Sequence, residues 1–194
     1  GQAIPHHPGI GESPLRVALA VEVPPGNAEG AVVPMEIAVG VPVANPDGIA
    51  KASRTNSRGV DLNRNFPAKN WAPGEKGAMY GGDQAASEPE TRVLVNLVET
   101  FAPDRIISIH AITRGRECNN FDGPGQSLAE SMAVANKFPV KKSIGYPTPG
   151  SFGTWAGLER QVATITLELP SGMPGEECWK QQRSALEAAI RGAP

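Results

Sequence analysis

The sequence predicts an α/β fold around a mainly parallel or mixed sheet. Two observations lead there: short apolar, β-branched runs at 105–109 and 162–169, and helix-period segments that alternate with them. A third is length, since 194 residues favour one domain, 1–194, with a sizeable buried core.

Taken in order, Ser13 as N-cap and Pro14 at the first helical position predict a helix over 13–23 (SPLRVALAVEV), ended by Pro24-Pro25-Gly26. Residues 35–44 (MEIAVGVPVA) read as a buried strand that stops at an Asn45-Pro46-Asp47-Gly48 turn. The stretch 49–86 is polar, glycine-rich and without period, which predicts a long loop of the functional kind. Ser87 and Glu90 have capping-box spacing ahead of an apolar stripe at Leu94, Leu97, Val98 and Phe101, so a helix begins there. RIISI, 105–109, is a short strand ending at His110, and 126–138 is helical. Val162–Leu169 (VATITLEL) alternates as a strand, and a last helix over about 175–191 carries Trp179, Leu186 and Ile190 on one side.

Composition excludes several classes. Eighteen Lys and Arg against 20 Asp and Glu give a net charge of −2 and no basic cluster, so neither nucleic acid nor an anionic membrane is an expected partner. Aromatic residues at 5% argue against a base-stacking platform. No leader and no long apolar run is seen, which makes a cytoplasmic location the expected default. Cys118 and Cys178 are too few for a disulfide framework and are expected as free, part-buried thiols.

Polar groups at strand ends mark where such folds bind ligands. His110 ends one strand. Glu168 lies near the end of another, on the face of Thr164 and Thr166, where a cleft would raise its pKa and suit it to general-base work. Between Arg54 and Pro67 the chain places three arginines, three asparagines and one acid, Asp61, a surface suited to anions and amides. No GxSxG elbow and no phosphate-cradling glycine loop is present.

The run NPDG, RTNSRGVDLNRNFP, SEPET, SIHA, SFGTW and TLELP, over roughly residues 42–170, resembles the zinc carboxypeptidases of the carboxypeptidase A type. It is most similar to their bacterial murein peptide amidase branch, which cleaves the γ-D-glutamyl–diaminopimelate bond of cell-wall peptides. The resemblance implies a three-layer α/β sandwich around a mixed, twisted sheet, with one zinc at the strand ends. It also implies a short peptide substrate with a free carboxylate. His110 matches the family's later zinc ligand, Glu168 the general base, and Arg54 the arginine that steadies the oxyanion. Asn63 and Arg64 match the pair that clamps the substrate carboxylate. The family's phenol has no clear match, Tyr146 being 22 residues ahead of Glu168.

Departures accompany the match. The family's first metal motif is His-x-x-Glu; here Glu12 takes the carboxylate place, Gly9 stands where the histidine belongs, and His7 is the nearest candidate to replace it, with His6 beside it. The chain starts almost at this motif, so a sheet short of one or two strands is expected, with an edge for a second subunit to cover. The loop from Trp71 to Ser87 is short, which would widen the cleft. Two rival functions are a carboxylate-peptide binder that has lost its metal and an acyl-amino-acid hydrolase of the aspartoacylase or succinylglutamate desuccinylase type.

Overall fold

A computed structural model describes the backbone at residues 16–18 and the chain from 38 to 191. Among the described residues, five strands form one mixed sheet in the order β1-β2-β5-β3-β4: β1 Arg16–Ala18, β2 Arg105–Ile112, β3 Cys118–Asp122, β4 Val140–Lys141 and β5 Ala163–Pro170. β2 runs parallel to β5 along its whole length, β3 antiparallel to β5, and β1 antiparallel to β2. Around it lie α1 Pro46–Lys51, α2 Pro89–Phe101, α3 Gln126–Asn136 and α4 Gly175–Arg191.

Alternation along the strands sends residues to opposite faces. One face carries Ile107, Ile165 and Leu167, which pack on Leu128, Ala129 and Met132 of α3 and on Ala185 and Ala189 of α4. The other carries Ile106, which joins Leu94 and Val98 of α2 with Phe66, Phe152 and Trp155. These are the three layers the resemblance implied.

Several sequence expectations are corrected. Residues 16–18 are strand, not part of a helix; Val17 is β-branched, and the backbone pairs Arg16 with Ile109 and Ala18 with Ile107 along the β2 edge. The rest of the expected helix lies outside the described residues. Residues 38–44 are irregular rather than strand. Pro42 has no N–H for a ladder, and Val39 and Val41 turn to the α2-side core instead. Asn45-Pro46-Asp47-Gly48 opens α1, with Pro46 in its first turn and the Asn45 side chain accepting from Gly48 N at 2.9 Å. The capping box is not formed: α2 starts at Pro89, and Ser87 Oγ donates to Glu88 Oε1 instead. In α4 the inner stripe is Gln182, Ala185 and Ala189, while Trp179 is 54% exposed. Cys118 is a free thiol and fully buried.

Candidate active site

Strand register builds the floor. His110 lies opposite Glu168, and Cys118 of β3 lies opposite Glu168 on the far side. Two residues back, Ser108, Thr166 and Asn120 form the next row on the same face. His110 Nε2 is 2.8 Å from Ser108 Oγ, which fixes the ring. Burial, with the charges of Arg54 and Arg64 nearby, pushes His110 down to about 3, so the imidazole is neutral. Glu168 is buried, and its carboxylate accepts no hydrogen bond from a described residue. Burial raises it to about 7, against the opposing pull of Arg54, Arg64 and Arg116.

The wall is the 54–67 loop. Asp61 organises it: Oδ2 accepts from Arg54 Nε at 2.8 Å, while Oδ1 accepts from Asn63 N at 3.0 Å and caps a 3₁₀ turn, Leu62–Arg64. Asn63 Oδ1 accepts from Phe152 N at 2.9 Å, so its amide NH₂ stays without a partner among the described residues. Arg64 is buried and donates from Nη1 to Asn63 O at 2.7 Å; its other N–H groups have no described partner. Desolvation lowers its pKa, and Asp61, Tyr146 and Glu168 act against that. A buried guanidinium with open donors is suited to a bidentate carboxylate.

The two site loops are locked together. Phe66 stacks on Phe152 at 4.6 Å between centroids and touches Trp155 at 5.8 Å. Phe66 N donates to Gly150 O, and a Cβ on Gly150 would stand 2.4 Å from Arg64 O, so only glycine allows this approach.

Sequence reasoning thus placed Arg54, Asn63, Arg64, His110 and Glu168, and the fold brings all five to one side of the sheet. It misread two neighbours of Asn63. Asn56 and Asn65 face inward: Asn56 Nδ2 donates to Glu88 Oε2 at 2.7 Å, and Asn65 ties Gly81, Gln84 and Ser87 to the start of α2. It also passed over Tyr146, which stands near enough to Arg64 to act on its charge. The available signal was its place four residues before Gly150, in the loop that meets Arg64 O.

Residues 35–115 match the zinc carboxypeptidase family. Murein peptide amidase A of Escherichia coli K12 is 38% identical over 162 residues, which cover 77% of this chain and 64% of that protein. The Vibrio campbellii murein peptide amidase A is 36% identical, covering 65% of this chain and 54% of that one. The crystal structure of murein-tripeptide amidase from Escherichia coli O157 superposes with a TM-score of 0.66 at 34% identity, covering 78% of this chain and 67% of that chain. The chain belongs to the zinc carboxypeptidase family. It spans 64% of the length of the Escherichia coli K12 relative. Carboxypeptidase A from Helicoverpa armigera, at 20% identity and a TM-score of 0.57, shares the fold.

For a zinc carboxypeptidase the metal donors decide chemistry. Of the three that the resemblance implies, His7 and Glu12 lie outside the described residues, and among the described residues no three His, Cys, Asp or Glu cluster. His110 fits its share: zinc needs a neutral imidazole whose second nitrogen is held, and Ser108 holds it. Among the described residues no helix is long and apolar enough to cross a membrane.

Proposed function

We propose that this chain is a zinc-dependent carboxypeptidase or amidase. It hydrolyses a peptide or γ-glutamyl amide bond next to a residue with a free carboxylate, in murein peptides. The observation that carries the reading is the pairing of buried Glu168, without a described partner, with His110 on adjacent strands, facing the Arg64 and Asn63 donors. Identity to proteins named murein peptide amidase A supports the substrate class.

Arg64 grips the terminal carboxylate of the substrate, and the Asn63 amide adds a donor on the same anion. Tyr146 lies near Arg64, where its phenol is available to the same end of the substrate. The carboxylate of Glu168, held near 7, takes a proton from water and passes it to the leaving amine. Arg54, oriented by Asp61, meets the negative charge that develops on the scissile oxygen. His110, with Glu12 and His7 as the other candidates, would hold one zinc, which supplies a Lewis acid that acidifies water and polarises the carbonyl.

The test is hydrolysis of the murein tripeptide L-Ala-γ-D-Glu-diaminopimelate, with metal content measured by mass spectrometry on the same sample. Turnover with about one zinc per chain, as the three-ligand catalytic pattern expects, and loss of turnover in Glu168→Gln support the reading. Peptide binding without turnover in metal-supplemented protein would replace it with a carboxylate-peptide binder.

A further inference from the structure

Beside Arg54 a cleft of about 630 Å³ opens between the 52–60 and 76–88 segments, with Arg54, Arg58, Lys76, Tyr80, Asp83 and Glu88 in its walls. Its acids are already engaged. Asp83 accepts the Tyr80 hydroxyl. Glu88, 1% exposed, accepts from Asn56 Nδ2 and from Ser87 Oγ, both at 2.7 Å. Two of its basic groups, Arg58 and Lys76, are less engaged than Arg54, which is paired with Asp61. The guanidinium of Arg58 comes no nearer to a described carboxylate than 3.5 Å, from Nε to Glu88 Oε2, and the side chain is 61% exposed. It donates no side-chain hydrogen bond among the described residues, and Lys76 makes no ion pair there.

Arg58 is nevertheless held in place at its backbone. Asn56 Oδ1 accepts from both Arg58 N and Val60 N at 3.1 Å, and Gly59, at φ +76°, donates back to Asn56 O at 3.0 Å. Asn56 itself is buried against Glu88. A guanidinium on so short and pinned a turn loses little backbone freedom when it binds an anion.

We propose that Arg58 determines specificity on the acyl side of the scissile bond by pairing with a second carboxylate of the substrate, with Lys76 adding to the same field. The inference rests on the hydrolase reading above, in which Arg64 takes the leaving-side carboxylate and Arg54 faces the scissile carbonyl. The cleft beyond Arg54 then receives the acyl portion. A γ-glutamyl amide keeps its α-carboxylate free a few bonds from that carbonyl, whereas an ordinary α-peptide places no anion there. Arg58 therefore selects γ-glutamyl over α-linked substrates.

The experiment uses two γ-glutamyl tripeptides, one with the free α-carboxylate and one with that group as a carboxamide. They are compared on the full chain, Arg58→Ala, Arg58→Lys and Arg58→Glu. The expected wild-type preference for the acid is about tenfold or more in kcat/KM, the size of one charge-assisted pair. It shrinks toward unity in Arg58→Ala, survives in part in Arg58→Lys and inverts in Arg58→Glu, mainly through KM. Added salt weakens it in the parent protein but not in Arg58→Ala. An acid preference that Arg58→Ala leaves intact overturns the proposal, as does a parent protein that does not favour the acid. If neither peptide turns over, the hydrolase reading fails. The same pair measured by calorimetry then decides on Arg58 alone, since loss of the acid-over-amide affinity ratio in Arg58→Ala supports its role and an unchanged ratio ends it.

Discussion

The two faces of β5 are built from alternate residues of one strand and do opposite work. Toward α3 and α4, Ile165 and Leu167 are fully buried among aliphatic neighbours. Toward the loops, Thr166 and Glu168 meet Ser108, His110, Asn120 and Cys118. Apolar burial of Leu167 adds about 1.5–3 kcal/mol to folding, whereas burying Glu168 opposes folding and is repaid as a carboxyl with a pKa near 7. On the function proposed above, stability and chemistry are one residue apart.

The largest expected effects come from breaking that alternation at its two adjacent members. Leu167→Ala should lower unfolding free energy by about 2–5 kcal/mol. Turnover per folded molecule should hold up far better than in Glu168→Gln. Glu168→Gln should cost about 10³-fold in kcat, the usual weight of a general base, with no loss in the denaturant midpoint at pH 8. Loss of stability in Glu168→Gln comparable to that in Leu167→Ala would show that the two faces are not separable.

Next in size is the wall. Arg64→Ala should lower kcat/KM by about 10²-fold, near 3 kcal/mol, because one bidentate charged contact is lost. Arg64→Lys should recover only part of it, since an ammonium has no planar fork. Asn63→Ala should add a fault on the other side of the site, because its Oδ1 positions Phe152 N. Titrating inhibition by a dipeptide with and without its terminal carboxylate checks both variants.

How much of this was legible in the sequence follows from which forces leave a pattern. Apolar periodicity gave α2, α3, α4, β2 and β5, because burial repeats at 3.6 or 2 residues. β3 was invisible: in Cys118-Asn119-Asn120-Phe121-Asp122 two of the three buried positions are asparagines. They are satisfied by distant partners, Asn119 by Asn136 at 3.1 Å and Asn120 by Lys141 O at 2.9 Å. The segment at 16–18 was read as helix because Ser13 and Pro14 have the pattern of a helix start, and the pairing with the β2 edge makes it strand instead. His110 and Glu168 were singled out because ligands bind outside the carboxyl ends of such strands, and the register sets the two side by side. The inward roles of Asn56 and Asn65 were not, because an amide's partner cannot be read from its spacing.

A finer contrast lies within the site face, where Asp122 of β3 lies against Gly153 and Gly157 of a π-helical turn, Gly153–Leu158. Burial raises its carboxyl to about 6 from the ordinary 3.8. A folded pKa above the unfolded one means the native state holds the proton more tightly. The stability it contributes is present below pH 3.8 and is lost as pH rises through 6. The shift corresponds to no more than about 3 kcal/mol, and partial exposure reduces that to about 2. Asp122→Asn should remove this slope, so that urea midpoints of parent and variant converge near pH 4 and the variant is the more stable at pH 7.5. Parallel midpoints across that range would show that Asp122 is not buried as a charge.

The smallest effect concerns how the loop side is held at all. Asn45, fully buried, caps α1 through Oδ1 to Gly48 N and donates Nδ2 to Arg54 O at 3.2 Å, so one amide joins helix α1 to the backbone of a site arginine. Asn45→Ala should cost about 1–2 kcal/mol, as a lost cap does, well below the Leu167 deletion. Asn45→Asp keeps the acceptor but turns the Arg54 contact into two facing oxygens. Its cost in melting temperature should match that of Asn45→Ala or exceed it only slightly, while its kcat/KM falls further because Arg54 moves. If Asn45→Asp kept full activity with reduced stability, Asn45 would serve the helix alone. Arg54 would then owe its placement to Asp61, whose carboxylate holds the guanidinium at 2.8 Å from two of its nitrogens.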